Sequence, residues 1–386
     1  MRIVDFSTHL PGPLAAHLLA ELGADVLKVE RPGTGDGNRD RRATIAGLGD
    51  LHVALNSGTR SLAVDSRSAR WPEIVGACAR WADAVIVGAR PESARRLALD
   101  FASLTTHNPS LVYCGISGYG ARGPWSSLPA HGQNVDARAG AVPLNQDGRR
   151  FFTRPGWRPV GAPLAGVFAA LGVLAGLQRR SERGDAQCVH VSLWHCAMWW
   201  NWRELTSLAN DEAPFPDHCA IGPRYAVYAC SDDLPLLVCP IEEKFWRRFV
   251  ELTDLPASLA SRGTWQVGGT DFGYPDEENL IAAAMTAKSS QEWSSVLADA
   301  DIPFAPVLDA AEALASEHAA ASALFRTTAV SGGQVNLVSA PLTWGGDAAL
   351  PPPLTPPPEL GEHTAQILAE LGLVADTEDN GSTVSR

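Results

Sequence analysis

A strand, a helix and a second strand follow one another within the first 30 residues, and this does more than any other feature to fix what the chain can become. Residues 1–6, MRIVDF, read as a short apolar strand. The turn HLPGP follows, and Leu14, Leu18, Leu19 and Leu22 then recur at the three- to four-residue spacing of one helical face. Gly23 is a natural helix stop, and ADVLKVE at 24–30 reads as the next strand. Two strands joined through a helix are expected to lie parallel with a right-handed crossover.

The pattern recurs. Residues 61–65, 83–88 and 110–120 read as strands, with a helix at 72–81 and a long Ala- and Leu-rich helix at 166–179. Residues 187–202 pass from strand to an aromatic helix. Alternation of this kind predicts an α/β fold, a Rossmann-like open parallel sheet that binds ligands at the carboxyl ends of its strands. The character changes after Ser207. Residues 211–223 are Pro-rich and loop-like, 225–241 read as a hairpin turning at 231–234, and EKFWRRFVELT is an amphipathic helix. Residues 301–316 are expected to be a loop or strand feeding a helix, 351–363 an extended Pro-rich arm, and HTAQILAELGL a final helix.

Length and composition bound the rest. A chain of 386 residues with 45% hydrophobic side chains suggests two domains and has ample material for a core. Its net charge of −12 argues against nucleic acid as a partner, but the acidity lies beyond the first hundred residues, which are nearly charge-balanced. Basic ligands for a small anion are therefore sought there. With only Lys28, Lys244 and Lys288 present, phosphate contacts fall mainly to arginine, whose fork suits phosphate oxygens. No apolar run is read as approaching the ~20 residues that span a bilayer, so no membrane association is expected. The start lacks a signal-peptide layout. Seven scattered cysteines without a CxxC pair fit reduced thiols in the cytoplasm and no metal site.

Three constellations carry candidate chemistry. Arg31 lies just past a strand's carboxyl end, near the turn that holds Leu10 and Pro11, and Gly33, Gly35 and Gly37 would let its loop approach a ligand; a solvated surface loop would show the same residues. Asn56 and Arg60 bracket a turn that could hold a phosphate or be a plain hairpin turn. Tyr119 sits in the glycine turn GISGYG, and beyond it His131, flanked by Gly132 and Asn134, is a candidate general base, because an imidazole titrates near working pH; a lone histidine is more often structural. There is no GxSxG elbow, P-loop or HExxH motif.

Together these segments resemble the family III CoA-transferases, which include formyl-CoA transferase, the carnitine CoA-transferases and α-methylacyl-CoA racemase. The likeness runs nearly end to end, through VDFSTHLPGPLAAHLLAELGADVLKVERPGTGD, LNSGTRSLAVD, NPSLVYCGISGYGARGP, GVFAALGVLAGLQRRSERG, EEKFW, IPFAPV and PELGEHTAQILAELG. It implies a large CoA-binding domain from residues 1–207 with 325–386, a smaller α+β domain at 208–324, a frayed tail at 376–386, and two chains interlocked like rings. The implied CoA contacts are Arg31, the Asn56–Arg60 turn, Arg96 and the Ser117–Tyr119 turn, with Leu10, Pro11, Gly132 and Asn134 in the pocket. Thr59 stands where relatives often carry Lys, so one phosphate contact is expected to be lost.

The catalytic residue is where the likeness breaks. The transferases use an Asp that carries the acyl group and then CoA as covalent intermediates. It precedes by four residues the glycine that opens the long helix. With that glycine at Gly166, the position is Ala162; a four-residue deletion after Ala165 fits equally, and no carboxylate lies between Phe151 and Arg180. The racemase branch uses this Asp together with a His in an HDIN-like segment, of which HGQN keeps His131 and Asn134 and replaces the Asp by Gly132. The resemblance therefore implies an acyl-CoA-processing enzyme that transfers CoA between carboxylic acids or acts on a thioester by an altered mechanism centred on His131. The alternatives are a one-base isomerase or lyase, and a non-catalytic subunit paired with an active paralogue. CoA or acyl-CoA is the expected substrate, a carboxylic acid the possible acceptor, no cofactor is expected to be tightly bound, and the dimer is homo- or heteromeric.

Overall fold

The structure, a computed structural model, describes residues 1–40, 44–212, 222–263, 273–322, 324–330, 333–342 and 354–373. Most of the Pro-rich stretch at 211–223, the start of the arm at 351–363 and the tail at 376–386 lie outside them. The chain divides into two compact units, Met1–Trp202 with Ala323–Arg386, and Arg203–Ser322.

The first unit is built on six parallel strands: β1 (Arg2–Phe6), β2 (Asp25–Glu30), β3 (Thr59–Ala63), β4 (Ala84–Gly88), β5 (Val112–Ser117) and β6 (Gln187–Ser192), in the order β6-β5-β4-β1-β2-β3. Strands two to three run one way from β1 and four to six the other, so the order reverses between β1 and β4, where an open parallel sheet leaves a crevice at its carboxyl edge. Both faces of the sheet are covered, which is why the strands read as apolar runs. Ile3, Val26, Ile86, Val112 and Cys114 point to one core, with Ala15, Leu19 and Ala169. Val4, Leu27, Val85, Val87 and Tyr113 point to the other, with Ile74, Cys78 and Ile367. The covering helices are α1 (Pro11–Glu21), α2 (Asp50–Asn56), α3 (Trp71–Trp81), α4 (Pro91–Arg96), α5 (Gly132–Arg138), α6 (Gly161–Arg183) and α7 (Leu193–Trp200), with a C-terminal helix at Thr364–Glu370.

Two expectations are corrected here. Helix α6 starts at Gly161, not at 166, because Pro163 sits in its first turn, where its missing N–H costs nothing, and Asp136 accepts the N–H groups of Val160 and Gly161 at 3.0 and 2.9 Å. At 23 residues it is long and apolar enough to cross a membrane by length and composition, unlike any run anticipated from the sequence. It packs instead by its small residues, Ala162, Ala165, Gly166, Ala169, Ala170 and Gly176. Residues 57–58, not a hairpin, join α2 to β3, and Arg60 lies inside that strand.

Gly166 fixes the distance between α6 and α1, since a Cβ there would come within 2.8 Å of the Leu14 side chain. Gly166→Val is expected to destabilise the fold by roughly 1–3 kcal/mol through overpacking, read as a lower urea midpoint at unchanged slope.

The second unit has a three-stranded antiparallel sheet of β7 (Ala226–Ala229), β8 (Pro235–Val238) and β9 (Phe304–Pro306). Helices at Glu243–Leu252, Glu278–Met285 and Ser290–Asp299 contribute to its core, around Trp246, Phe249, Ile281 and Trp293.

Candidate active site

A cavity of about 860 Å³ opens at the crevice between β1 and β4. The segment joining β1 to α1 and the start of α1 give it Thr8, His9, Leu10, Pro11 and Gly12; the end of β4 and the two residues after it give Gly88, Ala89 and Arg90; the end of β5 and the residue after it give Ile116, Ser117 and Gly118. His131 and Gly132 come from the start of α5, and Arg158, Pro159, Ala162 and Pro163 from the start of α6. Among its described lining residues there are two histidines, two arginines and no carboxylate.

His131 immediately precedes α5 in an extended conformation. Asn134 holds its backbone: Oδ1 accepts the His131 N–H at 2.9 Å, and the Asn134 N–H donates to the His131 carbonyl at 3.0 Å. Gly132 lies beside the start of α6, where a Cβ would be 3.8 Å from that of Ala162. Ala162 itself is buried and offers only a methyl group. Asp136 is fully buried beneath α6, where burial raises its carboxyl above the ordinary range against the two backbone N–H groups it accepts.

A second cavity of about 370 Å³ shares Thr8 with the first and continues along the same sheet edge. Arg31, Arg67, Asp65, Val64 and Trp71 line it. Arg67 grips Asp65 in a bidentate pair, Nε at 3.1 Å and Nη2 at 2.8 Å, and this bond holds the Asp65 carboxyl at about 2. Glu30 on its wall is committed elsewhere: burial alone would raise its pKa, but bonds from Arg39 and Ser61 outweigh that and bring it to about 2.

The sequence candidates thus separate into two groups. Leu10, Pro11, Ser117, His131, Gly132 and Ala162 come together in the large cavity, and Arg31 lines the smaller one. Asn134 acts through the backbone of His131. Five others line neither cavity. Asn56 is wholly buried, its Nδ2 donating to His52 Nδ1 at 3.0 Å. Arg60 sits near the amino end of β3, at the far edge of the sheet, where Nη2 meets Asp25 at 2.8 Å and Nη1 meets Glu370 at 2.9 Å. Thr59 closes the preceding turn by donating to the Asn56 carbonyl. Arg96 ends α4 exposed to solvent. Tyr119 is buried in the core, edge-on to Trp125. The reading of the sequence missed His9, Arg67, Arg90 and Arg158. Arg67 and Arg90 follow strands β3 and β4, so their place beyond carboxyl ends was a usable signal; Arg158 follows the short antiparallel pair Leu144–Asp147 and Arg150–Thr153 and gave none.

Residues 1–364 match CoA-transferase family III. The chain belongs to that family. A (R)-2-hydroxy-4-methylpentanoate CoA-transferase of Clostridioides difficile is 25% identical over 96% of this chain and 94% of its own length. The α-methylacyl-CoA racemase of Homo sapiens is 27% identical over 96% and 92%. Among solved structures, a mutant of Rv3272 from Mycobacterium tuberculosis superposes with a TM-score of 0.83 at 24% identity over 96% of this chain and 97% of that one. This family member shares its fold with that protein and its superfamily with both transferases and a racemase.

Proposed function

We propose that the chain binds an acyl-CoA along the carboxyl edge of its sheet and moves a proton at the acyl α-carbon with His131, in place of passing the acyl group through an enzyme carboxylate. The observation that carries this reading is the lining of the large cavity, where His131 stands beside Ala162 and no described acidic side chain is present. A methyl group cannot attack a thioester, whereas a neutral imidazole can take the α-proton. The two joined cavities suit a long ligand, with the CoA phosphates near Arg31 and Arg67 and the thioester near His131. CoA is substrate here, not a bound cofactor. The first unit is the CoA-binding domain in this reading, and the six described cysteines, all unpaired, fit a cytoplasmic enzyme.

Incubation with a panel of acyl-CoAs in D₂O, following α-deuteration and CoA transfer together, tests the reading. Deuteration without transfer supports it. CoA transfer to an added acid, with a hydroxylamine-trapped adduct on an enzyme carboxylate, would restore ordinary transferase chemistry. Ala162 also favours a second reading, a subunit that pairs with an Asp-bearing paralogue, and activity appearing only in that mixture would select it.

Helix α6 leaves Val167, Leu171 and Leu174 exposed, and Trp199, Trp200 and Trp202 nearby in sequence are exposed too. An apolar surface of this extent supports a dimer with a second copy, measurable as mass by light scattering.

Arg31→Ala is expected to weaken CoA by about ten-fold or more, since a charge-assisted contact contributes roughly 1.5–3 kcal/mol. Titration calorimetry checks it, and unchanged affinity would take Arg31 out of the site. Arg60→Ala, which breaks pairs on the opposite edge, should leave that affinity as it is.

A further inference from the structure

A third cavity, of about 310 Å³, lies against β6 and shares Ala89 and Ser117 with the large one. β6 is the last strand of the sheet on that side, and Cys188 and His190, two residues apart, line the cavity from one face of it. Cys188 Sγ and His190 Nε2 are 3.4 Å apart, within hydrogen-bond reach for sulfur. Strand register sets Tyr113 of β5 opposite Cys188, and Gly115 opposite His190. Gly115 keeps the floor open: a Cβ there would come within 2.9 Å of His190 Nδ1 and 3.1 Å of the Tyr113 hydroxyl. Tyr113 is only 4% exposed, yet its hydroxyl has no hydrogen-bond partner among the described residues. A buried phenol left in that state asks for a partner inside the cavity. Arg95 of α4 adds a cation with no ion-pair partner among the described residues, whereas Asp100 is committed to Ser103, whose hydroxyl donates to it at 2.6 Å. Cys188 is also the exposed one of the six described cysteines.

We propose that this cavity is a covalent modification site, in which Cys188, with His190 as its base, takes up half of a small anionic disulfide as a mixed disulfide. The step is thiol–disulfide exchange. His190 Nε2 takes the thiol proton, and a Cys188 Sγ electron pair forms a bond to one sulfur of the disulfide. The S–S bond of the disulfide breaks, and its electron pair leaves on the other sulfur as a thiolate, which recovers the proton from the imidazolium. Cys188 is oxidised, the small disulfide is reduced to one free thiol and the bound half, and no other reactant is consumed. The Tyr113 O–H and the Arg95 guanidinium are the donors for a carboxylate of the bound half. Burial holds the Cys188 thiol above its ordinary range and the His190 imidazole below its own, with the Arg122 charge adding to the second. Near neutrality the thiol therefore keeps its proton and the imidazole is able to accept it, which makes the base necessary. In a reducing compartment such a bond is transient, so the site responds to an oxidising excursion. None of this depends on the α-proton chemistry of the large cavity.

The test incubates the full chain with glutathione disulfide near pH 7 and follows each cysteine by peptide mass. Cys188 should be modified at least about ten-fold faster than Cys239, which is partly buried. Cys188→Ser should remove the adduct. His190→Gln should slow it by about ten-fold or more at an unchanged urea midpoint, since an amide cannot take the thiol proton. Tyr113→Phe and Arg95→Ala should each slow the reaction with glutathione disulfide, and neither should slow it with the uncharged bis(2-hydroxyethyl) disulfide. If Cys188 reacts no faster than Cys239, or if His190→Gln keeps the wild-type rate, the proposal is overturned and the His131 reading is untouched. If Arg95→Ala and Tyr113→Phe match wild type with both disulfides, the anionic class of ligand is overturned.

Discussion

His131→Gln is expected to lower α-proton exchange by about 10²–10⁴-fold, the usual cost of losing a general base. The choice of glutamine matters. Its amide can donate a hydrogen bond to a thioester oxygen, as a histidine that merely positions the ester would, but it cannot accept the α-proton near neutral pH. Activity within a few-fold of wild type would therefore assign His131 to positioning. The supporting contact gives a graded companion result. Asn134 accepts the His131 backbone N–H at 2.9 Å, donates from Nδ2 to the carbonyl of Pro129 at 3.4 Å, and is not itself among the lining residues. Asn134→Ala should reduce the turnover of exchange while leaving CoA affinity unchanged, whereas Asn134→Asp, which keeps the acceptor oxygen, should recover much of the loss.

Most of the frame was legible in the sequence because it rests on short-range signals. Apolar runs bounded by glycine gave β1, β2 and β4 to within a residue or two, since strands buried on both faces have no polar alternation to obscure them. Legibility failed where tertiary partners decide. The sequence places the start of the long helix at Gly166, and only the fold brings Asp136, distant in sequence, to accept the Val160 and Gly161 N–H groups where α6 begins. Arg60 reads as a phosphate ligand until strand register places it at the amino end of β3 between Asp25 and Glu370. His9 passed as part of a turn, because what marks it is a left-handed backbone angle, φ +67, and the Asp36 carboxylate that accepts its N–H, neither of which has a local sequence signature. At Ala162, where the resemblance implies an Asp, the sequence has a methyl group, and the described residues lining the cavity include no carboxylate.

Lys28→Met is expected to cost roughly 3–5 kcal/mol, the penalty for stranding the partner of a buried ion pair and a large share of a typical total of about 5–15 kcal/mol. The Lys28 ammonium is completely enclosed, 3.2 Å from Asp5 and 3.0 Å from Asp36, and donates to the Ser7 carbonyl at 3.1 Å. Methionine fills a similar volume and carries no charge, so the loss reports electrostatics and not a void. The dependence on pH gives the decisive readout. Burial already raises the Asp5 carboxyl above its ordinary value, against the opposing pull of Lys28. Without that ammonium it rises further in the folded state, while its value in the unfolded chain is unchanged. A carboxyl that is more basic folded than unfolded destabilises the fold above its folded-state pKa, and the penalty fades as pH falls toward the unfolded value near 3.8, because the folded state takes up the proton first. The gap in urea midpoint between wild type and Lys28→Met should therefore be widest at pH 7 and narrow by pH 4.5. Adding Asp5→Asn to Lys28→Met should recover part of the loss at pH 7 and little at pH 4.5. A gap that stays the same at both pH values would mean that Lys28 contributes packing alone, and that Asp36, with the His9 turn it holds, is fixed by some other contact.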